Sequence, residues 1–217
     1  ICDVAPVPGL PRACTFSAPS VAHLRYHLGL RPSQISVVPP GIDERFTPGG
    51  QKSPTPLVVA VGRLMPSKRF DELVRAVAEV RVQVPDVQLV IVGDGYERPN
   101  LEAQVAHLGA ERWVRIAGKV SDDELLSLYR RSWVVASASI AEGWGMTLTE
   151  AAACGTPPAA TDIAGHRDAV VAGFSGLLSS DDRGLARDLV AVLNDSELRA
   201  KLSDGALLHA ATLTWSA

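Results

Sequence analysis

"LVVAVGRLMPSKRFDELVRAVAEVRVQV", residues 57–84, decides the fold. It opens on an apolar, largely β-branched run that ends at Gly62, and from Phe70 onward apolar residues return at helical spacing. A strand with one solvated face alternates apolar and polar residues, whereas a run without alternation suits a strand buried on both faces. The stretch therefore reads as strand, loop and amphipathic helix. The unit recurs as "VQLVIVG" (87–93) with "ERPNLEAQVAHLG" (97–109), "WVRIAG" (113–118) with "DDELLSLYRR" (122–131), and "WVVAS" (133–137) with "MTLTEAAACG" (146–155). Repeated strand–helix alternation specifies the α/β class: a doubly wound, Rossmann-like parallel sheet covered by helices. From "SSDDRGLARDLVAVLND" (179–195) onward only helical periods remain, with Ser180 or Asp181 as N-cap.

Outside this core, residues 39–56, "PPGIDERFTPGGQKSPTP", are dense in Pro and Gly and carry no period, which reads as a linker or hinge. Upstream, "RACTFS" reads as a strand, "SVAHLRYHLG" as a helix and "QISVVP" as a second strand, too little to bury a core of its own. The expected organisation is a domain remnant at 1–38, a linker at 39–56 and a ligand-binding domain at 57–217. The first residue is Ile1 and the last helical run stops abruptly, so the chain reads as a piece of a larger protein.

Composition excludes several classes. With 217 residues, 47% hydrophobic and 21% charged, the chain has material for one large or two modest domains. A formal charge of −3 disfavours a nucleic-acid surface, which needs a basic face. Cys2, Cys14 and Cys154 are odd in number and lack CxxC spacing, so neither a disulfide framework nor a cysteine metal site is expected, and a reducing compartment fits best. The apolar stretch "WVVASASIA" from Trp133 is far shorter than the roughly 20 residues of a transmembrane helix, and no signal peptide opens the chain. A soluble protein is expected.

Open α/β sheets bind ligands beyond the carboxyl ends of their strands, where strand order reverses. The loop after the first core strand, "GRLMPSKR", offers Gly62 for backbone freedom and Arg63 and Lys68 as two cations suited to a diphosphate, although either charge also fits a solvated surface. It lacks the order of a P-loop. "GDGYER" (93–98) follows the second strand, carries only part of a dinucleotide fingerprint and reads as a tight turn. "GKVSDDEL" places Ser121 and Glu124 in a capping-box pattern, with backbone groups at Lys119 and Val120 open to the edge of a base.

After the fourth strand comes "EGWGMTLTE" (142–150). With a helix starting near Met146, Glu142 lies in the loop above the sheet and Glu150 in the first turns, both facing one crevice. Gly143 and Gly145 let backbone approach a ligand, and the amides of a helix N-terminus attract phosphate. Two carboxylates beside such a terminus make sense if each accepts from hydroxyls, one set on a sugar and one on a ribose. The bland reading makes Glu150 a helix-dipole partner and Glu142 a loop charge. Trp144 fits either the core or a wall of the crevice.

With "GRLMPSK", "IVGDGYERPNL", "GKVSDDELLSLYRRS", the E-x7-E motif "EGWGMTLTE" and "EAAACGTPPAATDIAGHRDAV" in this order, nearly the whole chain resembles the C-terminal domain of a GT-B glycosyltransferase of family 4. "ISVVPPGIDERFTP" is similar to that family's crossover between domains. The resemblance implies retaining, metal-independent transfer of a sugar from a nucleotide diphosphate donor such as GDP-mannose or a UDP-sugar, without a cofactor, to an acceptor sugar or lipid-linked glycan, in the cytoplasm or at the inner membrane face. It implies that Arg63 and Lys68 clamp the diphosphate, that Glu142 holds donor-sugar hydroxyls, that Glu150 accepts from the ribose, and that backbone amides from Gly143 through Trp144 and Gly145 to Met146, with Thr147 following, meet sugar and phosphate. Arg63, Lys68 and Glu142 are then the catalytic set.

Ala164 replaces the first glycine of the usual pair in "AGHRDAV", which weakens a ligand contact at Asp168, and His166 reads as a local loop residue. The family's N-terminal glycine loop and acceptor site are absent from the sequence, so the chain is expected to bind donor without turnover. A nucleotide-sugar epimerase of the same architecture and a non-catalytic nucleotide-sugar module are the alternatives. A nicotinamide dehydrogenase is disfavoured by the missing glycine fingerprint after the first core strand.

Overall fold

A computed structural model describes residues 13–215. Cys2 and the first twelve residues of the 1–38 segment lie outside the described residues. The described chain opens with β1 (Ala13–Thr15), α1 (Ala18–Leu28) and β2 (Ile35–Val37), and β1 and β2 pair in parallel as a small sheet of their own. The core follows as β3 (Leu57–Val61), α2 (Phe70–Val80), β4 (Gln88–Val92), α3 (Arg98–His107), β5 (Val114–Gly118), α4 (Asp122–Arg131), β6 (Val134–Ser137), α5 (Met146–Ala153), β7 (Pro158–Thr161), α6 (Ala164–Ala169), β8 (Leu177–Ser179), α7 (Asp182–Asn194) and α8 (Ser196–Ala210).

The six core strands are parallel in the order β5-β4-β3-β6-β7-β8. Chain order runs outward in both directions from the β3–β6 junction, so the topological switch point lies between those two strands. Side chains alternate strictly between the sheet's faces. Val58, Ala60, Leu89, Ile91, Val134 and Ala136 join α2, α3 and α7 in one apolar cluster, while Val59, Val90, Val92 and Val135 join α4, α5 and α6 in the other. That is why the strands are apolar without alternation: period 2 sends successive residues into two different cores.

β7, "PAAT", and β8, "LLS", are strands that residue pattern does not announce. Both are short, and β7 is built from proline and small residues with little intrinsic strand preference, so pairing with β6 on one side and β8 on the other decides its conformation. At the N-terminus of α4, Ser121 Oγ accepts from the Glu124 amide at 3.2 Å, as the capping pattern predicts. The reciprocal half of the box is missing, because the Glu124 carboxylate turns to Arg115, 3.7 Å away. Of the two candidate caps before α7, Asp181 serves, accepting from the Gly184 amide at 2.6 Å.

Residues 39–56 carry no regular element among them, yet they are strapped to the core rather than free. The Ile42 amide donates to the Leu213 carbonyl, Arg45 pairs with Asp122, the Phe46 ring meets Tyr129 edge-on, and Arg130 donates to Thr47. Lys52 closes the strap: its ammonium donates to the Ser132 carbonyl at 2.9 Å, the Gly155 carbonyl at 3.2 Å and the Thr156 hydroxyl at 2.6 Å.

Candidate functional site

The loops that follow β3 and β6 meet above the switch point. Beneath them the loop after β4 is pressed against the loop after β3. The Gly62 amide donates to the Val92 carbonyl and the Leu64 amide to the Asp94 carbonyl, and a Cβ on Gly93 would lie 1.9 Å from the Gly62 carbonyl oxygen. "GDG" is therefore a turn as expected, and its glycines serve backbone packing under the β3 loop.

On that platform Lys68, at the end of a single 3-10 turn (Pro66–Lys68), reaches across to the β6 loop and donates to Glu142 Oε1 at 2.5 Å. Ser139 Oγ donates to the same oxygen at 2.8 Å. Both partners of the ion pair are largely shielded, with side chains 22% and 15% exposed. Glu142 Oε2 has no partner among the described residues, so one oxygen is anchored and the other is presented. Arg63 is exposed, with no ion pair to a described residue, which leaves it available to an incoming anion.

The chain enters α5 at Gly145, the N-cap residue, whose amide donates to the Gly165 carbonyl at 3.1 Å. This corrects the expectation that every amide from Gly143 to Met146 faces a ligand: Gly145 is committed to α6. A Cβ on Gly165 would come within 2.4 Å of the Glu142 carbonyl oxygen, so the retained second glycine of the pair is what lets α6 approach this loop. Among the described residues nothing accepts from the amides of Met146 and Thr147, the first two of α5, and these are the groups that attract an anion.

Glu150, one turn further along α5, points to α4. Its Oε2 accepts from the Tyr129 hydroxyl at 2.9 Å, and Oε1 has no partner among the described residues. Burial raises the Glu150 carboxyl above its usual range, opposed by the Tyr129 hydrogen bond. The two carboxylates of the motif are thus tied to different elements, Glu142 to the β3 loop and Glu150 to α4.

Trp144 is a core residue more than a wall. It packs against the cluster of the α4–α5 face and against the cluster of Ile42, Ala152, Ala206, Ala210 and Leu213, and its buried indole N–H has no partner among the described residues. After β5, Lys119 is exposed and Val120 packs partly against the core, so a base edge would meet backbone there. His166 is not a loop residue: it sits on α6, is 1% exposed, donates from Nδ1 to the Thr161 carbonyl at 2.7 Å and lies 3.3 Å from Ser137 Oγ. Burial lowers its pKa. Asp168, on the same helix, bonds Ser17 ahead of α1, which turns it toward the N-terminal segment. Two surface cavities, of about 490 and 250 Å3, lie beside α2 and do not include either motif carboxylate; the candidate site is assigned from the converging polar groups. Tyr129 and Ser139 bond the two motif carboxylates, contacts that the sequence analysis does not anticipate.

Comparison with known proteins follows the same lines. Residues 42–208 match the family described as Glycosyl transferases group 1. The chain is 36% identical over 216 residues to the D-inositol 3-phosphate glycosyltransferase of Nocardiopsis dassonvillei, covering 89% of this chain and 50% of that protein. It is 37% identical over 206 residues to the enzyme of the same name from Stackebrandtia nassauensis, covering 85% and 46%. It thus spans about half the length of the curated relatives it matches. Sucrose-phosphate synthase from Thermosynechococcus elongatus superposes with a TM-score of 0.84 at 26% identity, over 95% of this chain and 56% of that one. Anabaena Alr3699/HepE in complex with UDP and glucose has the same fold, with a TM-score of 0.82 at 24% identity over 94% and 59%. The parallel six-stranded sheet flanked by helices matches GT-B glycosyltransferase structures. On the match across residues 42–208, the chain belongs to the glycosyl transferases group 1 family.

Proposed function

We propose that this chain carries the donor site of a retaining glycosyltransferase of family 4 type, which moves a sugar from a nucleoside diphosphate to an acceptor hydroxyl. The observation that carries the reading is the Lys68–Glu142 pair joining the β3 and β6 loops at the switch point, with Arg63 exposed in the same β3 loop and α5 opening at the end of the β6 loop.

In the proposed reaction the bond between the anomeric carbon and the diphosphate oxygen breaks, with its electron pair leaving on the diphosphate. The acceptor oxygen bonds to the same face of the sugar and gives its proton to a departing phosphate oxygen. Negative charge grows on the leaving group and positive charge on the sugar ring. Arg63, Lys68 and the amides of Met146 and Thr147 answer the first, so that the leaving group is stabilised without a metal. Glu142 Oε2 answers the second, accepting from sugar hydroxyls while Oε1 stays anchored. Glu150 Oε1 accepts from the ribose, and backbone at Lys119 and Val120 meets the base. The acceptor, a sugar or a lipid-linked glycan, docks on residues outside 57–215, so this chain alone binds donor and does not turn over. For a lipid-linked acceptor the place of action is the cytoplasmic membrane face; no helix of the described residues is long and apolar enough to cross a membrane.

Calorimetric titration with UDP, GDP and ADP, with NAD as control, tests the reading. UDP comes first, because the structural neighbour from Anabaena holds it. One diphosphate is expected to saturate. Arg63→Ala is expected to weaken it roughly ten- to a hundredfold, as for loss of a charge-assisted hydrogen bond of ~1.5 to 3 kcal/mol. An unchanged affinity in Arg63→Ala removes the clamp from the proposal.

A further inference from the structure

The α4–α5 contact holds a residue that the donor-site reading leaves without a role. Tyr129 is fully buried, 0% exposed, in the middle of the second apolar cluster. A buried tyrosine there could have been a phenylalanine, yet its hydroxyl reaches Glu150 Oε2 at 2.9 Å. Burial and the neighbouring carboxylate hold the phenol far above its ordinary pKa, so it is a permanent donor. Ring and backbone are each held by a neighbour. Phe46 of the strap packs on it edge-on at 5.7 Å between centroids, and the Tyr129 carbonyl accepts from Ser132 at 2.9 Å and from Thr156 at 2.6 Å.

We infer that Tyr129 is a positioning residue for Glu150: its hydroxyl anchors Oε2 so that Oε1 alone is presented, in one orientation, to the ribose hydroxyls of the donor. The inference rests on the donor-site reading above. It follows from the arrangement at the motif's other end, where Ser139 and Lys68 anchor one oxygen of Glu142 and leave the second open. A carboxylate with both oxygens free samples several rotamers and donor arrangements, and fixing one oxygen removes that freedom before the ligand arrives. The strap shares in it, since Phe46 carries the linker's position to the ring that holds Glu150.

The test uses the full-length protein and measures affinities for UDP, GDP and ADP, for the 2′-deoxy form of whichever binds, and for inorganic pyrophosphate. Wild type is expected to prefer the ribonucleotide. Tyr129→Phe keeps the ring packing, which its thermal unfolding midpoint checks, and is expected to lose about tenfold of that preference with pyrophosphate affinity unchanged. In a Glu150→Gln background the same substitution is expected to change the preference no further, because two residues acting through one contact are not additive. The inference is overturned if Tyr129→Phe keeps the wild-type preference, if ribonucleotide, deoxynucleotide and pyrophosphate weaken equally, or if the loss adds to that of Glu150→Gln. Should none of the three diphosphates bind wild type, the donor-site reading fails first and this inference with it.

Discussion

A single oxygen atom, Glu142 Oε1, joins the two loops that cap the switch point, accepting from Lys68 on one side and Ser139 on the other. This bond has two consequences of opposite sign. It anchors the carboxylate, and it occupies one of the two cations that the proposed function assigns to the diphosphate. Glu142→Gln removes the charge while keeping an acceptor for Ser139, so Lys68 is released toward the phosphates. The free diphosphate is expected to bind as well as to wild type or up to ~10-fold tighter, while turnover of the nucleotide sugar by the full-length enzyme falls about a hundredfold for want of an anion near the ring. Isothermal titration beside initial rates checks both; diphosphate binding that falls in step with turnover would show that Glu142 merely holds Lys68 in place.

Residue by residue, the motif positions were legible because they occupy loops after apolar strands. Lys68 and Glu142 meet across two of those loops, and Arg63 stands exposed in the first of them. Tyr129 was not legible: at its place in α4 it keeps helical register with Leu125 and Leu128, and only the packing of α4 on α5 converts a core ring into a partner for Glu150.

Among the elements, the β3 and β4 loops behave as one platform. Gly93 has φ of 130°, a region L side chains rarely adopt, and an added Cβ would sit 1.9 Å from the Gly62 carbonyl oxygen. That neighbour is backbone, which gives way only by moving the loop that carries Arg63 and Lys68. Gly93→Ala is expected to cost about 3 kcal/mol of stability in urea unfolding, from backbone strain plus the displaced loop, and to weaken diphosphate binding in the variant that still folds. A loss under ~0.5 kcal/mol, the size of an ordinary surface substitution, would mean the platform is free to shift. The strands β7 and β8 teach the complementary lesson. Their short sequences carry no period, and they are strands because β6 offers an edge to β7 and β7 in turn offers one to β8.

For the whole molecule, buried titratable groups tie stability to pH in opposing directions. His166 and His209 are held below their ordinary pKa by burial, so the unfolded chain binds more protons near pH 6, and folding stability is lost as pH falls through about 6.5. Glu150 and Asp168 are raised by burial, so the folded state holds its protons longer and gains stability as pH falls toward their unfolded values. The histidine share can be isolated. His166→Asn keeps a donor for the Thr161 carbonyl and removes the titration, so the drop in stability between pH 7.5 and 5.5 is expected to be smaller in the variant than in wild type. Equal drops in urea unfolding would show that His166 is protonated at no cost.

The sequence by itself determined the α/β class, the succession of strand and helix over residues 57–155, the loops at which charged and polar residues gather beyond the strand ends, and the two carboxylates of "EGWGMTLTE". These follow from local physics: apolar runs too continuous for a one-sided strand, helical spacing, and polar residues placed where strands end. Only the tertiary structure decided that the linker is a strap, that Lys68 and Glu142 neutralise each other across the switch point, that Gly145 is committed to α6, and that Tyr129 holds Glu150. The residues of each of these contacts come from different elements, Lys68 and Glu142 lying 74 positions apart. Which side chains meet at that separation depends on the order in which strands assemble, and strand order is a property of the whole sheet.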